Sequence, residues 1–481
     1  MAIKFEESQI INRIYFENPW WKSNKIDDFY FKLQHREYFN LFFPLVQERF
    51  IKRALILMGP RRVGKTVMIY HSIQKLISQG VNTKNINYFS IETPLFNGVS
   101  LEELVNLSLK INDKSIGDEL FFFFDEIQYL KNWEVHLKSL VDSYHNFKFI
   151  VSGSAAAALK LKSKESGAGR FSEFLLPPLT FHEYLNLTGN GTIVKTTVTE
   201  DEDSDYLSEE YAATDMKTLN EQFIQYINYG GYPELSLSEA IRSDPGRYIR
   251  HDIIDKVLLR DLPSLYGIND IQELNSLFTY LAYHSGNELS LDEISQNSGV
   301  AKNTIKRYIT YLEAAFLIKV IHRIDYNAKK FKRANFYKIY LTNSSIRSAL
   351  FSPISVGDSL IGNLVETAIY SQWQHNYDYQ LYYARWKSGE VDIVSLHADQ
   401  KPHWCIELKW SNRYPRKTNE LKNLISFCRK HNLQKTMVTT IDITENIKIN
   451  GVTIEFIPAS IYCYTVGRNV VRKKVNKLDN E

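Results

Sequence analysis

Ala54-Leu55-Ile56-Leu57-Met58 followed by Gly59-Pro60-Arg61-Arg62-Val63-Gly64-Lys65-Thr66 decides the fold of this chain. Five apolar residues form a strand buried on both faces. The next eight fit GxxxxGK[ST] at every fixed position, and Val67–Gln79 continues as an amphipathic helix. Gly59 and Gly64 let the loop from Pro60 to Val67 curl its backbone N–H groups, which begin at Arg61, around phosphate oxygens, and the helix N-terminus adds its positive dipole end. Lys65 reaches the β- and γ-phosphates, and the Thr66 hydroxyl ligates Mg²⁺. The cofactors expected are therefore ATP and Mg²⁺.

Working outward, a second element follows 60 positions later. Phe121–Phe124 are four apolar residues, and Asp125 and Glu126 emerge at their C-terminal end, the end at which open α/β sheets bind ligands. Asp125 is read as the Mg²⁺ partner and Glu126 as the group that polarises the attacking water. The run Lys148–Ser154 is a further strand, after which Ser152 or Ser154 is a candidate sensor of the γ-phosphate. Arg170 is a candidate guanidinium at the transition state, with a surface ion pair as the alternative. Short apolar runs alternating with helical patterns from Arg53 to about Phe181 argue for a parallel sheet covered by helices.

The sequence then divides into an N-terminal arm (1–50), an ATPase core (51–186), an acidic flexible insertion (187–218), a helical lid (219–280), a winged helix (281–345) and a C-terminal mixed α/β domain (346–481). In the fifth segment, Ser290–Ser295 and Lys302–Tyr308 flank a Gly299-Val300 turn. Ile305, Ile309, Leu312 and Phe316 keep helical spacing. This is a helix-turn-helix pattern, and Lys302, Asn303, Lys306 and Arg307 at the start of the second helix suit phosphates and base edges. Packing or partner contact is the other reading of such a module.

In the last segment, Asp392 lies in a strand-like run, and Glu407 and Lys409 alternate on the next across the turn HADQKP. Glu366 sits on a preceding helix. Asp392 and Glu407 are candidate ligands for Mg²⁺, which would activate water against a phosphodiester. Lys409 would neutralise developing charge. An exposed strand pair joined by an ion pair is the competing reading.

Composition narrows the classes. The 481 residues are 44% hydrophobic and 23% charged, which excludes a wholly disordered chain or a collagen-like repeat. Three scattered cysteines offer no disulfide framework. No apolar run approaches the ~20 residues that span a bilayer, and the start lacks an apolar leader, so a cytoplasmic location is expected. The formal charge of +3 does not by itself imply nucleic acid. Lys329–Arg333 and Arg472–Lys477 are basic runs that suit phosphate backbones or solvated faces.

The motifs GPRRVGKT, FFFFDEIQYL, VSGS, GRFSEFLLPPLTFHEYL and YGGYPE, taken in order, resemble a prokaryotic family of AAA-type ATPases. That resemblance runs from about residue 50 to about residue 460. It implies that the C-terminal region is a winged helix followed by a restriction-endonuclease-like fold, carried by GNLVETAIYSQW, YYARWKSGEVDIV and IELKWS. The D-(x)14-ExK spacing resembles the PD-(D/E)xK core. Asn343 stands where the family pattern implies an acidic residue, and 187–218 resembles an insertion. Three functions are open at this point. One is an ATP-driven enzyme acting on DNA; another is a nucleotide-dependent switch that binds DNA or a partner without cutting; the third is a remodelling ATPase. A homo-oligomer or a protein partner fits all three.

Overall fold

A computed structural model describes residues 6–154, 169–200, 207–331, 335–373 and 379–479. Two compact units divide between Pro177 and Pro178, so the first boundary falls nine residues before the expected one.

The first unit is built on five parallel strands in the order β2-β3-β4-β1-β5. They are β1 Ala54–Met58, β2 Ile86–Ser90, β3 Leu120–Asp125, β4 Phe147–Gly153 and β5 Phe171–Leu175. Strands β1, β3 and β4 are buried along their whole length, which is why Ala54–Met58 and Leu120–Phe124 read as unbroken apolar runs. Phe122 packs its ring against Phe147 and Phe149 of the neighbouring strand. β1 and β3 flank β4, so the phosphate loop after β1 and the carboxylates after β3 emerge at the same end of the sheet.

The arm holds the helices Glu7–Glu17, Trp20–Ser23, Asp28–Phe31 and Phe39–Gln47. It covers the outer edge of β2. The Asn18 side chain accepts from the Tyr88 N–H at 2.7 Å and donates to the Tyr88 carbonyl at 2.9 Å. The indole N–H groups of Trp20 and Trp21 both donate to the Ile86 carbonyl. Glu17 accepts from Ser90 N–H. Groups that an open edge would leave unpaired are thus satisfied by side chains.

The second unit is one body rather than a lid, a winged helix and a separate C-terminal domain. Nine strands form a single sheet in the order β15-β16-β14-β13-β12-β11-β9-β10-β8. Strands β8 Glu288–Ser290, β9 Ile318–Ile324 and β10 Phe336–Leu341 belong to the helix-turn-helix region; β11 Gln380–Trp386, β12 Gly389–Leu396 and β13 Pro402–Glu407 follow, then β14 Lys435–Thr440, β15 Glu445–Ile449 and β16 Val452–Pro458. The join is a parallel pairing of β9 with β11, Tyr382 opposite His322. Helices Leu291–Ser298 and Lys302–Ala314 form the expected helix-turn-helix, with Gly299 left-handed between them.

The 187–218 expectation needs correcting. A hairpin stands there, β6 Val194–Glu200 paired with β7 Leu207–Ala213. Residues 201–206 lie outside the described ones. Its polar composition hid a strand pair whose anchors include buried Val194 and the Tyr211 hydroxyl, which donates to Asn469 at 2.9 Å. Asn343 is fully buried against Gly231, where a Cβ would lie 2.2 Å from the Asn343 side chain. Glycine is needed at 231 for this close approach.

Candidate functional sites: a phosphate loop and a buried charged centre

The loop after β1 is held from several sides. A Cβ on Gly59 would meet the Leu176 carbonyl at 2.1 Å, so only glycine lets the loop leave the sheet here. Gly64 has φ +94, left-handed, at the start of helix Lys65–Ser78. Buried Lys65 donates to the Gly59 and Pro60 carbonyls at 3.2 and 2.9 Å, within the loop it serves. Arg36, from the arm, donates to the Val63 carbonyl at 2.9 Å and the Pro177 carbonyl at 3.0 Å. That support was not legible in the sequence, because Arg36 precedes the motif by more than 20 residues.

Asp125 is 2% exposed and surrounded by hydroxyl donors. Thr66 donates to one carboxylate oxygen at 2.7 Å, as does Tyr88 at 3.0 Å. Ser152 donates to the other. Burial and the neighbouring Glu126 charge push the Asp125 carboxyl up, against the pull of those three hydroxyls. All three donors are neutral, so the carboxylate charge is left for a cation. The hydroxyl and carboxylate of Thr66 and Asp125 converge as a Mg²⁺ site requires, and those two residues would hold the ion.

Glu126 has φ +55, left-handed, which turns its side chain out of the strand direction. Its N–H donates to the Ser152 hydroxyl at 3.0 Å, and its carboxylate accepts from the Gln128 amide. Gln128 in turn accepts from Ser154 N–H at 3.2 Å. The two serines therefore differ. Ser152 is tied to Asp125, while the Ser154 hydroxyl is buried without a hydrogen-bond partner among the described residues.

Arg170 does not belong to this site in its own chain. It precedes β5, and β5 runs parallel to β1 with Phe171 opposite Ala54 and Leu175 opposite Met58. Arg170 is thus at the far end of the sheet, ~15 Å from the loop at ~3.3 Å per residue. Its carbonyl accepts from Ala54 N–H, and its guanidinium pairs with Asp142 at 3.0 Å on the surface. Sequence adjacency to a strand suggested the site; strand direction places it at the other end.

In the second unit, the four residues expected from spacing do meet. Lys409 Nζ lies 2.7 Å from Glu407 Oε1 and 3.1 Å from Asp392 Oδ2. Asp392 also accepts from Leu408 N–H at 2.9 Å. Glu366 comes from helix Ile361–Trp373. A fifth residue, which the spacing did not point to, links them. Lys338 of β10 is 2% exposed, and its ammonium lies 2.8 Å from Glu366, 3.0 Å from Glu390 and 3.5 Å from Asp392. The Tyr340 hydroxyl also donates to Glu366.

The electrostatics follow from this arrangement. Burial would raise Asp392, but Lys409 and Lys338 outweigh it and hold the carboxyl low. Burial would likewise lower Lys338, and Glu366, Asp392 and Glu390 more than reverse that. Glu407 is pushed up to about 7 by burial and by Asp392, with Lys409 opposing. Its Oε2 is buried with no hydrogen-bond partner among the described residues. A divalent ion between Asp392 and Glu366 would compete with the Lys338 ammonium for the same oxygens. The donor set as arranged fits an internal cation better than a metal.

The candidate nucleic-acid residues Lys302, Asn303, Lys306 and Arg307 are all exposed on their helix, whose other face buries Ile305, Tyr308 and Ile309. Lys302 pairs with Asp292. In the two basic runs, Lys332 and Arg333 lie outside the described residues, as do the side chains of 472–477.

Residues 51–185 match a family model described as an AAA domain. Residues 220–356 match a model described as a domain of unknown function (DUF8612). An uncharacterized protein of Haemophilus influenzae is 22% identical, covering 84% of this chain and 92% of its own length. An uncharacterized protein of Methanocaldococcus jannaschii is 26% identical, covering 74% and 76%. Among solved structures, the Aeropyrum pernix Orc1 protein in complex with DNA is similar at 13% identity and a TM-score of 0.31, covering 66% of this chain and 92% of that one. The Pyrobaculum aerophilum Cdc6p structure is similar at 13% identity and a TM-score of 0.28, covering 68% and 98%. Among the described residues, no helix is long and apolar enough to cross a membrane.

Proposed function

We propose that this chain is a Mg²⁺-dependent ATPase whose second unit binds DNA without cutting it, nucleotide turnover and DNA binding being linked. The observation that carries the ATPase reading is the 2.7 Å contact between Thr66 and Asp125, which joins the phosphate loop to the acidic strand end. Backbone N–H groups from Arg61 to Thr66 receive the phosphates. Lys65 leaves the Gly59 and Pro60 carbonyls for the β- and γ-phosphate oxygens. Thr66 and Asp125 would hold Mg²⁺, which would supply charge neutralisation at the phosphates. Glu126, oriented by Gln128, accepts the proton of the attacking water. Phosphate release dependent on Mg²⁺ and lost in Asp125→Asn supports the assignment; unchanged release in that variant sinks it.

DNA binding rests on the four exposed polar and basic residues at the start of helix Lys302–Ala314. If they contact phosphates, duplex affinity falls steeply with salt, and Lys306→Ala with Arg307→Ala lowers the log–log slope by about one unit for each charge. An unchanged slope removes the helix from the interface.

A second reading, cleavage of DNA at the charged centre, is favoured by the meeting of Asp392, Glu407, Lys409 and Glu366. The Lys338 ammonium among three of its carboxylates weighs against it. Cleavage of plasmid or branched DNA in Mg²⁺ or Mn²⁺, abolished by Asp392→Ala, would establish cutting and overturn the switch.

A further inference from the structure

Strands β9 and β10 form the hairpin that follows the helix-turn-helix, and their connection carries the basic run Lys329–Arg333. At its base lies a cavity of about 540 Å³ lined by His322, Arg323, Lys330, Phe331, Phe336 and Tyr382, with Asn335 at its rim. Phe331 and Phe336 are 52% and 45% exposed, unusual for phenyl rings in a polar hairpin. They flank one guanidinium, with Arg323 Cζ 5.1 Å from the Phe331 ring centre and 5.3 Å from that of Phe336. Lys330 Nζ lies 4.7 Å over the Tyr382 ring. None of the lining residues is acidic. Glu288 lies 3.5 Å from Arg323, and Asp325 turns to the backbone N–H groups of Asn327 and Lys329. No carboxylate is paired with Lys330 among the described residues.

We infer that this cavity is a binding site for single-stranded DNA, with one base stacked on the Phe331 and Phe336 rings and the adjoining phosphate on Lys330. Exposed aromatic faces beside unpaired cations are the chemistry by which single strands are held without sequence readout. Arg323 cannot serve as a free charge, because it donates to the Arg385 carbonyl at 3.1 Å and faces Glu288. Its guanidinium instead packs against both rings. The choice of DNA over RNA rests on the function proposed above; the stacking site does not.

The test measures anisotropy of a fluorescein-labelled oligothymidylate titrated with the full chain. Phe336→Leu and Phe331→Leu, which keep apolar bulk and remove the ring, are expected to weaken binding on the order of ten-fold or more. Phe336→Trp is expected to restore it, a result that simple apolar packing does not give. Lys330→Ala is expected to lower the salt slope by about one unit. All three side chains are exposed, so melting temperatures should stay at the wild-type value. Wild-type affinity in both leucine variants, or no binding of the oligothymidylate by the native chain, overturns the site. Tighter binding of an oligouridylate overturns the choice of DNA. Duplex binding by Lys306→Ala/Arg307→Ala is read separately. Loss there with the phenylalanine dependence intact leaves this pocket standing.

Discussion

Asp125 and Asp392 are both buried aspartates at a sheet, each touched by three donors, and they are neutralised in opposite ways. Around Asp125 the side-chain donors are hydroxyls of Thr66, Tyr88 and Ser152, which orient the carboxylate and leave its charge uncompensated. Around Asp392 they are a backbone N–H and the ammonium groups of Lys409 and Lys338. A carboxylate dressed with hydroxyls is prepared for an incoming cation. A carboxylate dressed with lysines already has its cation. The carboxylates alone therefore do not separate a metal site from a buried ion-pair core; the charge of the donors does.

The largest effect that tests this contrast is catalytic. Glu126→Gln should bind nucleotide and lose turnover by ~10²–10⁴-fold, the usual contribution of a positioned base. Lys65→Ala should lose at least ~10²-fold through the missing phosphate contact. Steady-state phosphate release with a parallel nucleotide-binding titration separates the two; wild-type turnover in Lys65→Ala would remove the assignment.

The second effect is on stability. Lys338→Met keeps the length of the side chain and strands Glu366, Glu390 and Asp392 without their shared ammonium. Removing one partner of a buried ion pair costs ~3–5 kcal/mol, measurable by denaturant unfolding. Adding Glu366→Gln should recover part of that loss. If Lys338→Met unfolds like the native chain, Lys338 is not the cation of this centre. Asp125→Asn, by contrast, should cost little stability in the absence of nucleotide.

The smallest effect is a pH slope. Glu407 has a folded value of about 7 against an ordinary 4.5. The native chain therefore keeps a proton that the unfolded chain releases between those values. Stability falls as pH rises through that window and levels off above it, by ~1–3 kcal/mol in all. Glu407→Gln should flatten the slope of unfolding free energy between pH 4.5 and 7. An identical slope in both proteins would mean that Lys409 holds Glu407 ionised throughout.

Much of this is legible in the sequence. The phosphate loop and Asp125 declare themselves because local chemistry fixes them: a buried strand, a glycine turn and a helix start occur within 25 residues. Asp392, Glu407 and Lys409 were legible because alternation along strands places them together. Lys338 was not, since its partners are 28 to 54 positions away and a strand from another segment brings it in. One cue was present: a lysine in the middle of Phe336–Leu341, where apolar neighbours on both sides imply burial and hence a partner. Arg170 misled because a sequence gives no strand direction relative to a site. The β6–β7 hairpin was missed because acidic, polar strands carry no apolar alternation to read.

The arm against β2 has a consequence for synthesis. Asn18, Trp20 and Trp21 leave the ribosome some 65 residues before the strand they cover, so they have no dock until Ile86–Ser90 emerges. Once it does, the tether places a matched cap beside the sheet edge at high local concentration, ahead of any edge from another nascent chain. Residues translated ahead of the strand thus act as a built-in guard against strand-to-strand association. An N-terminal truncation removing Glu17–Trp21 would leave the phosphate loop intact in sequence and yield a chain whose failure is loss of solubility rather than loss of nucleotide affinity.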